Sequence, residues 1–517
     1  MHGTMTEMHT PHSRPKMARP ACEGAYSGGM TMPPHDVCYR ALKARDAGLD
    51  GRIFVAVKTT GIYCRPICPA RTPKPENIHF YPSAAAAQEA GFRPCLRCRP
   101  EISPDAAAWR GTENTVSRAL SLIGEGLLDG ESGVEALADR LGVGERQLRR
   151  LFDQHLGAPP IAVAQTRRVL FAKQLIQDTQ LSMTDIAAAS GFGSVRRFND
   201  AFRKLYRRSP SELRRKKGAP ISTVTLKLGY RAPYDWDSML AFLGYRAIEG
   251  VELVDNNRYL RTIEIDGAFG SVEVASGKNH LIATIRFPKV KALLTIVARL
   301  RRLFDLDADV ACIGAHLSGD ADLAPLVSKR PGLRTPGSWD GFELACRAIF
   351  GQQITVTGAR RLAGHLVARA GQDVGADVTG DARLNKIFPN AKRVVSADIS
   401  AMPMPKARVA ALQALAAAAK DDPKLLDPVG TFDEALERLL VLPGFGPWTA
   451  QYWALRALRD SDAFPAADVA LLRHPAVAAN GNRPTPKALL ARAESWRPWR
   501  AYAAQHLWTS DAEAANG

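Results

Sequence analysis

Four cysteines fall into two close pairs, Cys64 and Cys68 in GIYCRPICPAR and Cys95 and Cys98 in GFRPCLRCRPE. Two such pairs, a few tens of residues apart, match the ligand spacing of a tetrahedral Zn²⁺ site. Zn²⁺ suits four thiolates because it is borderline-soft and accepts a tetrahedron without electronic preference. Spacing does not separate a closed structural knot from a reactive centre. The surroundings favour chemistry: Arg65, Arg71, Arg93, Arg97 and Arg99 crowd the pairs, with few acids nearby. Four thiolates on one Zn²⁺ carry a formal charge of minus two, which arginines temper while approaching a polyanion. Metal-bound sulfur also stays deprotonated at neutral pH and is a standing nucleophile. Cys22, Cys38, Cys312 and Cys346 stand alone and read as ordinary residues.

A second constellation lies in LPGFGPWTAQYWALRAL, 442–458. An apolar helix runs into Pro-Gly-x-Gly, and a second helix follows. Gly444 and Gly446 permit a tight hairpin whose N–H groups point outward at a helix N-terminus, a sequence-independent phosphate clamp. Helix-hairpin-helix motifs also occur in DNA binders that are not enzymes. Asp468 follows in AFPAADVALLR. An Asp shortly after Pro is ordinarily an N-cap, and a Trp on a helix is ordinarily core. The hairpin upstream turns Asp468 into a candidate catalytic carboxylate, because hairpin plus downstream Asp resembles the helix-hairpin-helix glycosylase signature.

Two DNA-reading units lie between these constellations. Val134, Leu137, Ala138 and Leu141 fall at i, i+3, i+4, i+7, one helix face. LGVG breaks that helix, and a second carries Arg146, Arg149 and Arg150 outward with Leu148, Leu151 and Phe152 inward. Residues 182–205 repeat the arrangement: Ser182 and Asp185 form a capping-box-like start, GFGS breaks the helix, and Arg196, Arg197, Arg203 and Lys204 decorate the next. A helix near 161–176 joins the units. A helical spacer with solvated charge is the bland alternative. After a basic, Pro-containing linker, TVTLKLGY, ELVDNNRYLRTIEI, SVEVAS and HLIATIRF read as strands of an antiparallel sheet. From about 338 the chain turns helical. The net charge of +17 is concentrated in residues 1–220, which carry +12 of it, and nucleic acid is the first candidate partner. No apolar run approaches the ~20 residues of a membrane span, and the Met-, His- and Pro-rich start is not a secretory signal. Eight cysteines in a cytoplasmic, nucleoid-associated chain are expected to stay reduced.

Three stretches resemble known families. FVAVKTTGIYCRPICPAR…GFRPCLRCRPE, within 36–101, resembles the N-terminal domain of the Ada methylation-response family. That resemblance implies that Cys64 accepts a methyl group from a DNA methylphosphotriester, with Cys68, Cys95 and Cys98 completing a site for one Zn²⁺. Losing one thiolate charge would weaken repulsion by phosphates, so the repair product becomes a switch. GFGSVRRFNDAFRKLYRRSPSELRR resembles the AraC-type regulators, whose paired helices, here from about 145 and 194, enter successive major grooves. FELACRAIFGQQITV, LPGFGPWTA and RPTPKALLARAESWRPWRAYAAQHLW, within 223–510, resemble the AlkA-type 3-methyladenine DNA glycosylases. This implies that Asp468 is the catalytic carboxylate and that Trp448, Tyr452 and Trp508 line an aromatic pocket for a flipped cationic base. Relatives that also cut the strand carry a Schiff-base Lys where Trp448 stands. A monofunctional, water-using glycosylase without a cofactor is therefore expected. The sequence departs from its relatives at Ala470, often Gly, and at Gln353, where the apolar wedge of AlkA stands.

The expected architecture is multidomain α+β. A disordered tail (1–34) precedes a small zinc-bound α/β domain (35–103) and an all-α tandem helix-turn-helix (110–217). A linker (218–222) leads to an antiparallel-sheet α+β domain (223–335) and an all-α helix-hairpin-helix glycosylase domain (336–511). Arg71, Arg93, Arg146, Arg149, Arg196, Arg197, Gln353, Gly444 and Gly446 are the expected DNA contacts. The expected function couples single-turnover methyl transfer to Cys64 with transcription activation and alkyl-base excision. Damaged and promoter DNA are the expected partners, with RNA polymerase contacted by the activator. A regulator with an inactive glycosylase half is the alternative. No Pro-Cys-His-Arg core occurs, so no repair of O6-methylguanine is expected.

Overall fold

The computed structural model describes residues 32–103, 115–129, 133–214, 223–427, 432–478 and 482–516. Residues 1–31 of the expected tail, with Cys22, and the expected linker 218–222 lie outside these.

The first unit is a four-stranded sheet of order β3-β1-β2-β4. Strand β1 (Phe54–Val57) pairs antiparallel with β2 (Ile62–Cys64) and β3 (Ile78–Tyr81), and β2 pairs parallel with β4 (Arg93–Pro94). Period-two alternation splits β1 between two small cores. Val55 packs with Cys38, Leu42 and Phe80 on one face. Phe54 and Ala56 pack with Tyr63 and Ala87 on the other. The pairing of β2 with β4 sets Cys64 beside Cys95, whose N–H donates to the Tyr63 carbonyl at 2.9 Å.

Helices Val134–Leu141 and Glu145–Leu156 form the first helix-turn-helix unit. Gly142 between them adopts φ 68°, which a side chain resists. Met183–Ala189 and Val195–Tyr206 form the second, with Ser182 and Ser194 capping the two helices. The 19-residue helix Pro160–Asp178 joins them and is buried over most of its length.

Next comes a five-stranded antiparallel sheet of order β5-β9-β8-β7-β6: β5 (Thr223–Gly229), β6 (Glu252–Asp255), β7 (Arg258–Ile265), β8 (Ala268–Gly277) and β9 (His280–Arg286). The stretch read as ELVDNNRYLRTIEI is a hairpin, since Asn256 and Asn257 both take positive φ and turn the chain. One hydrophobic core runs from the joining helix and the second helix-turn-helix unit (169–213) into this sheet and helix Leu293–Leu303.

The helical remainder packs as two lobes. One is built on helices Gly341–Phe350, Val356–Ala370 and Lys406–Asp421. In the other, Val310, Ile313, Leu317 and Val327 pack against Phe464, Leu471, Trp496 and Trp499, so packing is shared across residue 335. No described helix is long and apolar enough to cross a membrane.

Candidate metal centre and base-excision cleft

The four sulfurs of Cys64, Cys68, Cys95 and Cys98 lie within 4.8 Å of one another. Four thiolates at ~2.3 Å from a tetrahedral Zn²⁺ stand about 3.8 Å apart, so the cluster fits the ion. Two sulfurs accept backbone hydrogen bonds: Cys98 Sγ from Arg65 N–H at 3.4 Å and Cys95 Sγ from Arg97 N–H at 3.3 Å. Such outer contacts orient thiolate ligands and temper their charge. The four sulfurs are close enough to couple: contact with Cys64 lowers Cys68, and contact with Cys68 raises Cys64. Four thiolates so close need a cation between them. Cys68, Cys95 and Cys98 are buried, and Cys64 alone of the four is half-exposed.

The five arginines around the cluster divide by role. Arg71 and Arg97 are exposed, and Arg93 is half-buried. Arg65 is buried in an ion pair with Asp50 and also donates to the Cys98 carbonyl. Arg99 forms a paired contact with Asp178 of the joining helix at 2.9 and 2.7 Å. Arg71 and Arg93, the expected DNA contacts of this set, are not among those tied up, whereas Arg65 and Arg99 are held by acids distant in sequence, Asp50 and Asp178, and Arg99 by Glu101 as well.

In the helix-turn-helix units, Leu148, Phe152 and Leu156 anchor the first outer helix, leaving Arg146, Arg149 and Arg150 exposed. Arg149 pairs with Glu145 one turn back. Phe198, Phe202 and Tyr206 anchor the second, leaving Arg196, Arg197 and Arg203 exposed.

In the glycosylase-like half, Leu442–Gly446 closes the hairpin, with Phe445 N–H donating to Leu442 O at 3.1 Å. Gly444 has φ 81°, and a Cβ there would stand 2.7 Å from the Ala411 methyl. A Cβ on Gly446 would meet only open space, and Pro447 starts the next helix. Gln352 clamps the hairpin by donating to Gly444 O at 2.6 Å. Its neighbour Gln353 is exposed at φ 57°, beside the partly exposed Ile354.

Asp468 caps helix Val469–Arg473. Its Oδ1 accepts from Ala470 N–H at 3.0 Å and Leu471 N–H at 3.2 Å. The same oxygen accepts the Trp508 indole N–H at 3.0 Å, and Oδ2 accepts that of Trp448 at 2.9 Å. The carboxylate is thereby fixed at the rim of an aromatic group. Trp448 stacks on Tyr452 with centroids 5.3 Å apart and planes 8° apart, and Trp508 meets Tyr452 edge-on at 6.3 Å. The structure brings all four predicted residues together. Cap and carboxylate candidate, weighed as alternatives from sequence, coincide in one side chain. The two indole donors have no spacing signal, because Trp508 arrives from 40 residues downstream.

A zinc-thiolate domain, a tandem helix-turn-helix and a helix-hairpin-helix cleft thus share one chain. The family model described as the metal binding domain of Ada matches residues 37–101, a helix-turn-helix domain model matches 137–216, and the AlkA N-terminal domain model matches 225–340. A Mycobacterium tuberculosis protein named probable bifunctional transcriptional activator/DNA repair enzyme AlkA is 41% identical over 480 residues, covering 92% of this chain and 96% of that one. The chain belongs to that family of bifunctional transcriptional activator/DNA repair proteins. DNA-3-methyladenine glycosylase 2 of Escherichia coli is 34% identical over 292 residues, 55% of this chain and 96% of that one. The bifunctional activator and repair enzyme Ada of Escherichia coli is 37% identical over 156 residues, 30% of this chain and 42% of that one.

Proposed function

We propose that the chain senses methylated DNA phosphate at Cys64, activates transcription in response, and excises alkylated bases at Asp468. The observation that carries the enzymatic reading is the Asp468 carboxylate held by four N–H donors against three aromatic rings. For the sensor it is the half-exposure of Cys64 beside three buried partners.

At the sensor, Cys68, Cys95 and Cys98 hold one Zn²⁺ together with Cys64. The ion, when bound, keeps the sulfurs deprotonated. Cys64 Sγ attacks the methyl carbon of the phosphotriester, the C–O bond breaks, and the electron pair stays on the phosphate oxygen. A thioether and a phosphodiester result, and the protein is consumed in a single turnover. The site loses one negative charge, so its repulsion of DNA falls. Arg71 and Arg93 meet backbone there, while Arg146, Arg149, Arg196 and Arg197 serve the helix-turn-helix units on promoter DNA. RNA polymerase is the partner that an activator requires, and the chain works at the nucleoid.

At the cleft, the hairpin at Gly444 and Gly446 holds a phosphate, and Gln353 enters the duplex as the base flips. Trp448, Tyr452 and Trp508 line the pocket that receives the extruded base, with Trp448 stacking on it. Asp468 stabilises the oxocarbenium-like sugar and takes the proton of the water that adds at C1′. With Trp448 in the lysine slot there is no imine and no lyase step, and no cofactor is called for. The decisive measurement is release of 3-methyladenine from methylated duplex DNA. Wild type releases it without strand cleavage, and Asp468→Asn lowers single-turnover excision by about a hundredfold or more. Lack of release by the wild type would leave a regulator with an inactive glycosylase half. Mass spectrometry after incubation with methylated DNA is expected to find one methyl group on Cys64. Its absence in zinc-loaded protein would reduce the cluster to a structural knot.

A further inference from the structure

Behind the aromatic group stand two guanidiniums that the reaction above does not use. Arg456 lies in the wide π turn Ala454–Leu458, which continues the second helix of the hairpin. It is 2% exposed. Its guanidinium carbon sits 5.4 Å from the Tyr452 ring centre and 5.3 Å from that of Trp508. Arg246, at the end of helix Trp236–Arg246, stacks 3.8 Å over Phe242, and Arg456 lies 4.5 Å from the same ring. Their hydrogen-bond partners are neutral. Arg456 donates to Pro336 O at 2.8 Å and Gln505 Oε1 at 3.1 Å, and Arg246 donates to Phe242 O at 3.3 Å. The buried Arg456 Nε has no hydrogen-bond partner. No carboxylate among the described residues pairs with either guanidinium; Asp305 is held by Arg459, and Glu343 by Arg261 and Arg347.

A buried cation without a counter-ion is costly and calls for a reason. Burial first, and then Arg246 against it, bring Arg456 down to about 10. Burial raises the Tyr452 phenol, but the charges of Arg456 and Arg246 outweigh it and lower the group overall.

We propose that Arg456, with Arg246, forms an electropositive back wall that sets base specificity through Tyr452, favouring excision of neutral alkylated bases. The proposal rests on the Asp468-assisted hydrolysis described above. When the C1′–N bond breaks, its electron pair stays on the base. A cationic lesion leaves neutral and needs no help. A neutral lesion leaves as an anion, and among the described residues no carboxylic acid or histidine is placed here as its general acid. Guanidiniums only donate, so the Tyr452 oxygen accepts from their side and its O–H is directed away from them, to the departing base. A hydrogen bond to a developing anion, backed by fixed positive charge, stabilises the transition state. Water adds at C1′, its proton passes to Asp468 and then to solvent, and the base anion takes a proton from solvent.

The test is single-turnover excision by the full zinc-loaded chain from one duplex context, comparing a neutral etheno-bridged adenine with cationic 7-methylguanine. Arg456→Gln is expected to lower the neutral-to-cationic rate ratio about tenfold, and Arg456→Lys to restore most of it. Tyr452→Phe keeps the ring, loses the hydroxyl and lowers the same ratio, so the test survives if Arg456→Gln does not fold. Equal loss on both bases would mark Arg456 as structural and overturn the proposal, as would an unchanged ratio in Tyr452→Phe. So would a wild type that excises only the cationic base. Release of neither base would instead overturn the hydrolase reading, and the wall with it.

Discussion

Asp468 does two jobs with one carboxylate. It caps Val469–Arg473 through two backbone N–H groups, and it receives two indole N–H donors at the mouth of the cleft. Stability and chemistry are therefore separable by choice of substituent. Asn caps helices about as well as Asp, whereas Ala costs about 1 kcal/mol. Asp468→Asn should unfold within a few tenths of a kcal/mol of wild type, on a rough reckoning, yet excise far more slowly. Asp468→Ala should lose both. Urea titration beside single-turnover excision reads the two effects apart, and a large stability loss in Asp468→Asn would show that charge, not the cap, supports the fold here. The indoles carry a parallel expectation. Trp508→Phe keeps an aromatic ring but leaves Oδ1 one donor short, and should slow excision about tenfold while leaving DNA affinity nearly unchanged. At this scale the sequence was readable where chemistry is local. Cys64 through Cys98 declare a metal site by spacing, and Asp468 declares itself by the hairpin before it. Unreadable were choices of partner across long separations, such as Arg65 for Asp50 or Trp508 for Asp468, because nothing in the local pattern encodes which distant side chain arrives.

Between elements, the joints are made by buried charge. Glu343, near the start of helix Gly341–Phe350, accepts from Arg261 of β7 at 2.7 Å and from Arg347 one turn on at 2.7 Å. Glu252 of β6 pairs with Arg347 and accepts from Tyr259 Oη at 2.7 Å. The sheet is thus fastened to the helices that carry the cleft. Burial raises Glu343, but the two guanidiniums overcome it and hold the carboxyl down at about 2, against an ordinary 4.5. A depressed acid contributes its stability above the unfolded value and loses it as pH falls through the folded one. The contribution of Glu343 should therefore be complete above about pH 5 and fade between about 4.5 and 2. Glu343→Gln should cost about 3 kcal/mol at pH 7 by leaving a buried guanidinium short of charge. Denaturant unfolding at pH 7 and pH 3 should show the gap to wild type narrowing in acid, and a gap of constant size would refute the linkage. The outer helices of the helix-turn-helix units depend instead on exposed charge. Arg146 and Arg196 are exposed, Arg196 in a long surface contact with Asp200 at 3.9 Å that phosphate can displace, so alanine at each should reduce the slope of log K against log salt by about one. The elements themselves were legible, since helix faces and strand alternation are short-range patterns. The exception is the 252–265 stretch, where two asparagines in the left-handed region hide a turn inside apparent strand.

Across the whole molecule, the sensor is bolted to both of its neighbours. Lys173 of the joining helix is 0% exposed, donates to the Cys95 carbonyl at 2.9 Å and pairs with Glu101. On the other side, Arg231 of the sheet domain donates to the Asp50 carbonyl at 3.0 Å, and Arg52 pairs with Asp309. Asp50 in turn holds Arg65, whose N–H reaches Cys98 Sγ. The metal ligands thus stand one residue or one hydrogen bond from two domain seams. Chelation should release β2, β4 and the loops bearing the cysteines, and Lys173 would then lose its carbonyl while remaining buried. Glu101 still pairs with that ammonium, but losing a hydrogen bond from a buried charge costs roughly 2 kcal/mol, so the loosening should spread. Amide hydrogen exchange in the chelated protein is expected to rise within 62–101 and also along 160–178 and around 228–232. Among the described residues the lobe built on 341–421 has no hydrogen bond or ion pair to the cysteine-bearing unit, and it should keep its protection. A rise confined to 62–101 would mean that the seams merely touch. A rise reaching the joining helix would mean that the state of the cysteine cluster is felt by the DNA-reading units through Lys173, which holds the backbone of one cysteine, Cys95.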